Sequence, residues 1–398
     1  MIFLTVNVFP SSPSWSAPKN RPYDQAFQHA MGNMYAFDYD RAAAQFEEAI
    51  RIEPDNPRSY VYLSSCYWMK ALYLQSSLLT SAFGLPQDPY LPASGVGCPL
   101  ELRGKFEDAV RRAKEKAQAL INTQPQNAEA HFWLGMAEGS ESVFTVTVDK
   151  KILSAKSHAD KSFDQMEKAA KLDPQFKDPY FPMGMHMHVL GTRGFLTRVL
   201  LKIMGYRVSK EEGIQYVKLA MEEGRFVRED ARLGLALCYM REGQWNEAIR
   251  LFQLTLQSYP QDSLLAFAVG RLQSAMGQNS GAVITFQQIL QRIQEGHPGY
   301  HVLSKGDIHL RLALSLLSCG RSEEAQKEAE KAVKDVNATT VVVAASYLAL
   351  GQARDLLKNR SGAVSAYQSA LALNPNTPSH QKARIYINQP YDGKTPPG

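Results

Sequence analysis

Gly243, Ala248, Phe252 and Pro260 lie in the run "YMREGQWNEAIRLFQLTLQSYP", and the first three recur 34 residues on as Gly277, Ala282 and Phe286. A small residue at a helix contact, an aromatic four residues later and a period of 34 describe a repeat built from two antiparallel helices. Such a pair cannot bury its apolar face alone, so it stacks on its neighbours and merges with them into one elongated core. The spacing therefore constrains architecture far more tightly than biological role.

The period can be followed along most of the chain. A first repeat runs from about Tyr23 to Asn56; "FDYDRAAAQFEEAIRIEP" puts Ala42, Phe46 and Ala49 on one helical face and ends at Pro54, which cannot continue a helix. The second opens with Tyr60, Leu63 and Tyr67, then carries an insertion: an apolar helix through Phe83 and the loop Gly84 to Pro99, whose prolines and glycines forbid regular structure and place it on the surface. The third begins at "AEAHFWLGMAEG" with Leu134 and Gly135 and closes through Ala169 and Pro174. Between these lies "SVFTVTV", a β-branched run that reads either as a hairpin or as extended helix; the lack of a partner strand favours helix. The fourth has Tyr180, Gly184 and Gly191 in register and inserts "TRGFLTRVLLKIMGYR" before "SKEEGIQYVKLAMEEG". Glu229 to Gly296 is the most regular stretch, followed by a repeat marked by Gly320, Ala325 and Ala332 and another ending at Pro375. The fold class that follows is all-α: a solenoid of antiparallel helix pairs, about eight of them, with insertions in repeats two to four. The expected division is 1–22 as a disordered tail or atypical signal segment, 23–227 as repeats with long insertions, 228–377 as regular repeats, and 378–398 as a capping helix and disordered tail.

These segments resemble the tetratricopeptide repeat family from roughly Tyr23 to Tyr386. The stretch "GFLTRVLLKIMGYRVSKEEGIQYVKLAMEEG" is also similar to the outer-membrane inclusion-body clearance type of these solenoids and its bacterial relatives. The family resemblance implies a right-handed superhelix whose concave groove, built from the first helix of each pair, takes peptides or partner helices. One subclass grips chaperone tails with a Lys and Asn clamp in that groove. The matching places here hold Phe27 and Met31, Phe132 and Met136, Leu233 and Leu237, so no cation is set for a terminal carboxylate.

Composition removes several function classes. With 44 basic and 39 acidic residues the net charge is only +5, too balanced for a nucleic-acid footprint, and the aromatic residues fall at helix contacts rather than among Lys and Arg. Cys66, Cys98, Cys238 and Cys319 show no CxxC spacing and read as structural thiols. No apolar run reaches the roughly 18–20 residues of a membrane span. The N-terminal "MIFLTVNVFPSSPSWSAPKNRP" leaves two compartments open: an atypical export signal, with Ser14 and Ser16 near a small-residue cleavage site, or a cytoplasmic tail.

No phosphate-cradling GxxxxGK, GxGxxG, HExxH or GxSxG occurs, so neither catalysis nor a cofactor is expected. His186 and His188 sit among Met183, Met185 and Met187, which invites a soft-metal reading. Helical residues two apart point away from each other, so no metal site is expected there. From the repeat register the groove is apolar, with Phe27, Met31, Val61, Trp68, Phe132, Met136, Phe181, Met185, Leu237, Met240, Phe267 and Leu314 facing it. The leading expectation is a non-catalytic scaffold holding a protein or peptide partner, such as an amphipathic helix, in that groove. Met240, Arg241, Phe267, Arg271 and Leu314 are its expected contacts, and Trp68, Phe132 and Phe181 share one concave surface in the earlier repeats. The alternatives are a membrane-peripheral or lipid-handling module and an accessory subunit of an envelope enzyme. The lipid reading rests on 193–207, where Phe195, Leu196, Val199, Leu200, Ile203 and Met204 form one helix face and Arg198 and Lys202 lie opposite. The plainer expectation is that this apolar face packs inside the superhelix.

Overall fold

A computed structural model describes residues 21–75, 97–373 and 378–393. The expected N-terminal tail or signal, the helix through Phe83, most of the Gly84–Pro99 loop, Pro375 and the last five residues lie outside the described residues. Within them the chain is all helical, with no strand. The first helices are α1 (Pro22–Tyr35), α2 (Tyr39–Ile52), α3 (Pro57–Leu74), α4 (Leu100–Thr123), α5 (Ala128–Thr147) and α6 (Lys156–Leu172). Next come α7 (Tyr180–Gly191), α8 (Phe195–Ile203), α9 (Lys210–Glu223), α10 (Arg228–Arg241), α11 (Trp245–Ser258), α12 (Ser263–Ala275) and α13 (Asn279–Gln294). The last are α14 (Lys305–Ser318), α15 (Ser322–Val333), α16 (Thr340–Leu356), α17 (Arg360–Leu373) and α18 (Pro378–Asn388). Each helix packs on the next in pairs, α1 on α2 through α16 on α17, except that α7 skips α8 and packs on α9.

One contact pattern repeats at four of the pairs. A small residue on the first helix, an Ala twelve residues on and an aromatic sixteen on meet at the pair's crossing: Ala30, Ala42 and Phe46; Ala236, Ala248 and Phe252; Gly270, Ala282 and Phe286; Gly351, Ala363 and Tyr367. The alanines and rings of these sets are fully buried. The small residue is a steric requirement, since a Cβ on Gly270 would meet the Phe286 ring at 2.7 Å. The turn between the helices of a pair needs a left-handed residue, seven after that contact. Gly243, Gly277 and Gly320 supply it with φ of 72°, 72° and 74°, while Phe37 (62°) and Lys358 (63°) adopt the same conformation with a side chain.

The run "SVFTVTV" is helical, forming the end of α5, where Phe144 stacks on Phe106 of α4 at 4.0 Å. Burial on a neighbouring helix overrides its strand propensity. Cys66 and Cys238 are buried, and burial pushes both thiols up to about 12; Cys98 and Cys319 are half-buried, and none of the four is bonded. No described helix is long and apolar enough to cross a membrane. At the C-terminal end α18 covers the last pair, with Tyr386 buried 5.7 Å from the Tyr367 ring and the Tyr391 N–H donating to Asp355 at 2.9 Å.

Candidate functional site

The inward side of the first helices is not uniformly open. At α1 the chain closes on itself: Tyr35 stacks on Tyr259 at 3.9 Å, and Gln261 donates its amide N–H to the Gly32 carbonyl at 3.2 Å. One pair further on, the Tyr62 hydroxyl donates to Asp230 at 2.8 Å. The Arg58 guanidinium lies 3.9 Å from the Phe27 ring and 5.2 Å from Phe226, which itself sits 5.3 Å from Trp133. Desolvated cation–ring contacts of this kind contribute about 2 kcal/mol. The junction supplying Phe226 is held by Asp178, which accepts from the backbone N–H of Arg225 (2.8 Å), Phe226 (2.5 Å) and Val227 (3.0 Å). The groove of the earliest repeats is thus occupied by the turn at 224–227 with the first turn of α10, and by the turn at 259–262, and not by the inserted α8.

Two carboxylates are carried into this closure. Burial pushes Asp230 up to about 6, against the pull of the Tyr62 hydrogen bond, with Glu229 adding to the rise. Burial pushes Asp262 up to about 7, although it caps α12 by accepting from the Leu265 N–H at 2.9 Å. The hydroxyls of Tyr35 and Tyr62 are pushed well above their ordinary value, again by burial first.

The expected groove residues separate accordingly. Phe27, Met31 and Val61 are buried. Phe132 is buried completely, edge-on to Phe176 at 5.3 Å, so it presents nothing to a partner. Trp68 is half-buried and its indole N–H donates to Thr147 at 2.8 Å. Phe181 is half-buried against Gly234, whose added Cβ would sit 2.7 Å from its ring. Phe132, Trp68 and Phe181 therefore do different things, and no open aromatic surface unites them. In the later repeats Met240 and Phe267 are 4% and 2% exposed, which makes them floor rather than contact. Arg271 and Arg311 lie 5.9 Å and 5.7 Å from the Phe267 ring, Leu314 is half-buried and Arg241 is exposed.

The basic amphipathic segment departs from the expectation that it packs inside the superhelix. No residue of α8 is buried: Phe195, Leu196, Leu200 and Ile203 are 69%, 80%, 57% and 77% exposed. The reason lies in its neighbours. An ideal Cβ on Gly184 of α7 would fall 2.6 Å from the Gly213 carbonyl of α9, and one on Gly213 would fall 2.6 Å from that of Gly184. The two backbones close directly on each other, and the inserted helix is left outside.

The His186 and His188 rings go to different surroundings, His186 to Phe163 at 5.3 Å and His188 to a 3.5 Å contact with the Lys210 carbonyl; burial lowers both. A cluster that the spacing did not reveal joins Glu138, Glu141 and His158 across α5 and α6. Lys114 already reaches both carboxylates, at 3.0 Å and 2.6 Å. Burial pushes Glu138 up, but hydrogen bonds and charge from His158 and Lys114 outweigh it and leave the carboxyl below its ordinary value. With the ammonium between the carboxylates, the arrangement is a closed ion-pair network.

Two family models, each described as tetratricopeptide repeat, match the chain: one over residues 230–262, the other over 27–73 and 310–378. No curated protein matches in sequence. Among solved structures, a thermophilic tetratricopeptide protein of Thermus thermophilus is 16% identical with a TM-score of 0.33, covering 63% of this chain and 98% of its own. Yeast Tom70 is 11% identical with a TM-score of 0.32, covering 93% and 89%. Human IFIT1, in a dimer with m7Gppp-AAAA, is 14% identical with a TM-score of 0.36, covering 91% and 80%. Likeness at that level carries no argument about ligand or partner. The matched segments fall on α1 to α3, on α10 and α11, and on α14 to α17, and these helix pairs are tetratricopeptide repeats.

Proposed function

We propose that the protein is a non-catalytic scaffold that seats a partner peptide or helix along the inward face of α10, α12 and α14. Tetratricopeptide repeats commonly serve as protein-interaction scaffolds. The observation that supports this placement is a difference between equivalent positions. In α1 the inward pair Met31 and Tyr35 is buried beneath the closure, whereas Arg241, Ala275 and Ser318 at the later counterparts of Tyr35 are exposed. Leu237, Arg271 and Leu314, the counterparts of Met31, are half-buried. Leucines flanked by guanidinium groups suit an amphipathic helix with a carboxylate edge.

The test uses the full chain and a partner recovered from cells and identified by mass spectrometry. Arg241→Glu together with Ser318→Glu should weaken the purified complex at least tenfold while the melting curve stays nearly unchanged, because both positions are exposed. Unchanged affinity would remove the later repeats as the partner's seat.

A further inference from the structure

We propose that α8 docks the protein on an anionic lipid surface, a role separate from partner binding on the inward face. Six apolar side chains, Phe195, Leu196, Val199, Leu200 and Ile203 of α8 and Met204 just after it, project from one side and are 41% to 80% exposed. Soluble surfaces rarely leave so continuous an apolar strip uncovered. The half-buried residues of the helix are Arg198 and Leu201, which places the apolar strip on the side away from the solenoid.

Charge selects the occupant. From Thr192 to Lys210 the chain has five cations, Arg193, Arg198, Lys202, Arg207 and Lys210, and no acidic residue. Arg207 pairs with Glu167 at 3.3 Å and Lys210 with Glu242, so the base of the insertion is fixed to the solenoid. Arg193 and Lys202 are exposed, and among the described residues neither reaches a carboxylate within ion-pair distance. An apolar face rimmed by unneutralised cations matches a bilayer interface, where side chains enter the acyl boundary and the cations meet headgroup phosphates and carboxylates. An acidic protein groove would satisfy the cations as well, and absence of flotation is the result that it predicts. Gly194 and Gly205 bracket α8, and Gly205 takes the left-handed φ of 88° that ends the helix.

The experiment is flotation of the full chain with phosphatidylcholine vesicles containing phosphatidylserine, beside vesicles of phosphatidylcholine alone. The protein should float with the anionic vesicles, weakly or not at all with the neutral ones, and less as salt rises. Phe195→Trp should shift its emission to the blue on anionic vesicles. Arg193→Gln with Lys202→Gln should weaken binding about 25-fold, at about fivefold for each cation removed. Leu196→Asp with Leu200→Asp should abolish it, and neither pair should move the melting curve, since none of these residues is buried. Absence of flotation, equal flotation on neutral vesicles, or undiminished binding by the Leu196→Asp, Leu200→Asp variant would overturn the proposal. So would a lipid-free dimer in sedimentation that the same variant dissolves, because a second copy would then be the cover.

Discussion

Gly213→Ala should destabilise the protein by about 1–3 kcal/mol or more, although alanine is the better helix former by about 1 kcal/mol. The added Cβ would lie 2.6 Å from the Gly184 carbonyl, 2.7 Å from the His188 backbone nitrogen and 3.0 Å from the His188 Cβ, so backbone and not a flexible side chain must yield. Gly104→Ala in α4 is the control: a Cβ there meets nothing within 4 Å, and the change should stabilise by about 0.5–1 kcal/mol. Urea unfolding of the two variants should move their midpoints in opposite directions. A gain for Gly213→Ala would mean that α7 and α9 do not touch, and the explanation for the exposure of α8 would fall with it.

Asp262→Asn should flatten the dependence of stability on pH. The carboxyl has a folded value of about 7 against an ordinary 3.8, so between those values the folded state holds a proton that the unfolded chain releases. Its contribution is fully present below 3.8 and is lost as pH rises through 7. Asparagine keeps the acceptor for the Leu265 N–H and cannot ionise. From pH 5 to pH 8 the variant should gain about 3 kcal/mol relative to wild type, from two units at about 1.4 kcal/mol each. Asp230, pushed up to about 6, acts in the same direction, whereas His186 and His188, lowered by burial, lose stability as pH falls below 6.5. Comparing variant with wild type cancels both. Parallel stability curves across that range would show that Asp262 is not buried as described.

The helix pairs were legible because each is decided locally. A small residue at Ala236 or Gly270, the Ala twelve on and the ring sixteen on face one another within a single pair, and their spacing alone specifies that contact. The fate of the groove was not legible, because Tyr35 meets Tyr259 only through the summed rotations of all the intervening pairs. A small error in each rotation would separate those rings, and no residue type records it. The burial of Phe132 and Phe267 was hidden for the same reason: register shows which way a side chain points but not what stands opposite. The sequence of α8 did show an amphipathic helix; its exposure depended on Gly184 and Gly213, whose mutual approach is a tertiary fact.

The most direct test of the scaffold account is hydrogen exchange of the full chain, free and bound to its identified partner. Binding at the later inward face predicts new protection in 233–241, 267–275 and 310–318, with the already closed α1 unchanged. Protection confined to 57–75 and 128–191 would contradict it, and would return the binding surface to the repeats that this structure describes as filled by the chain itself.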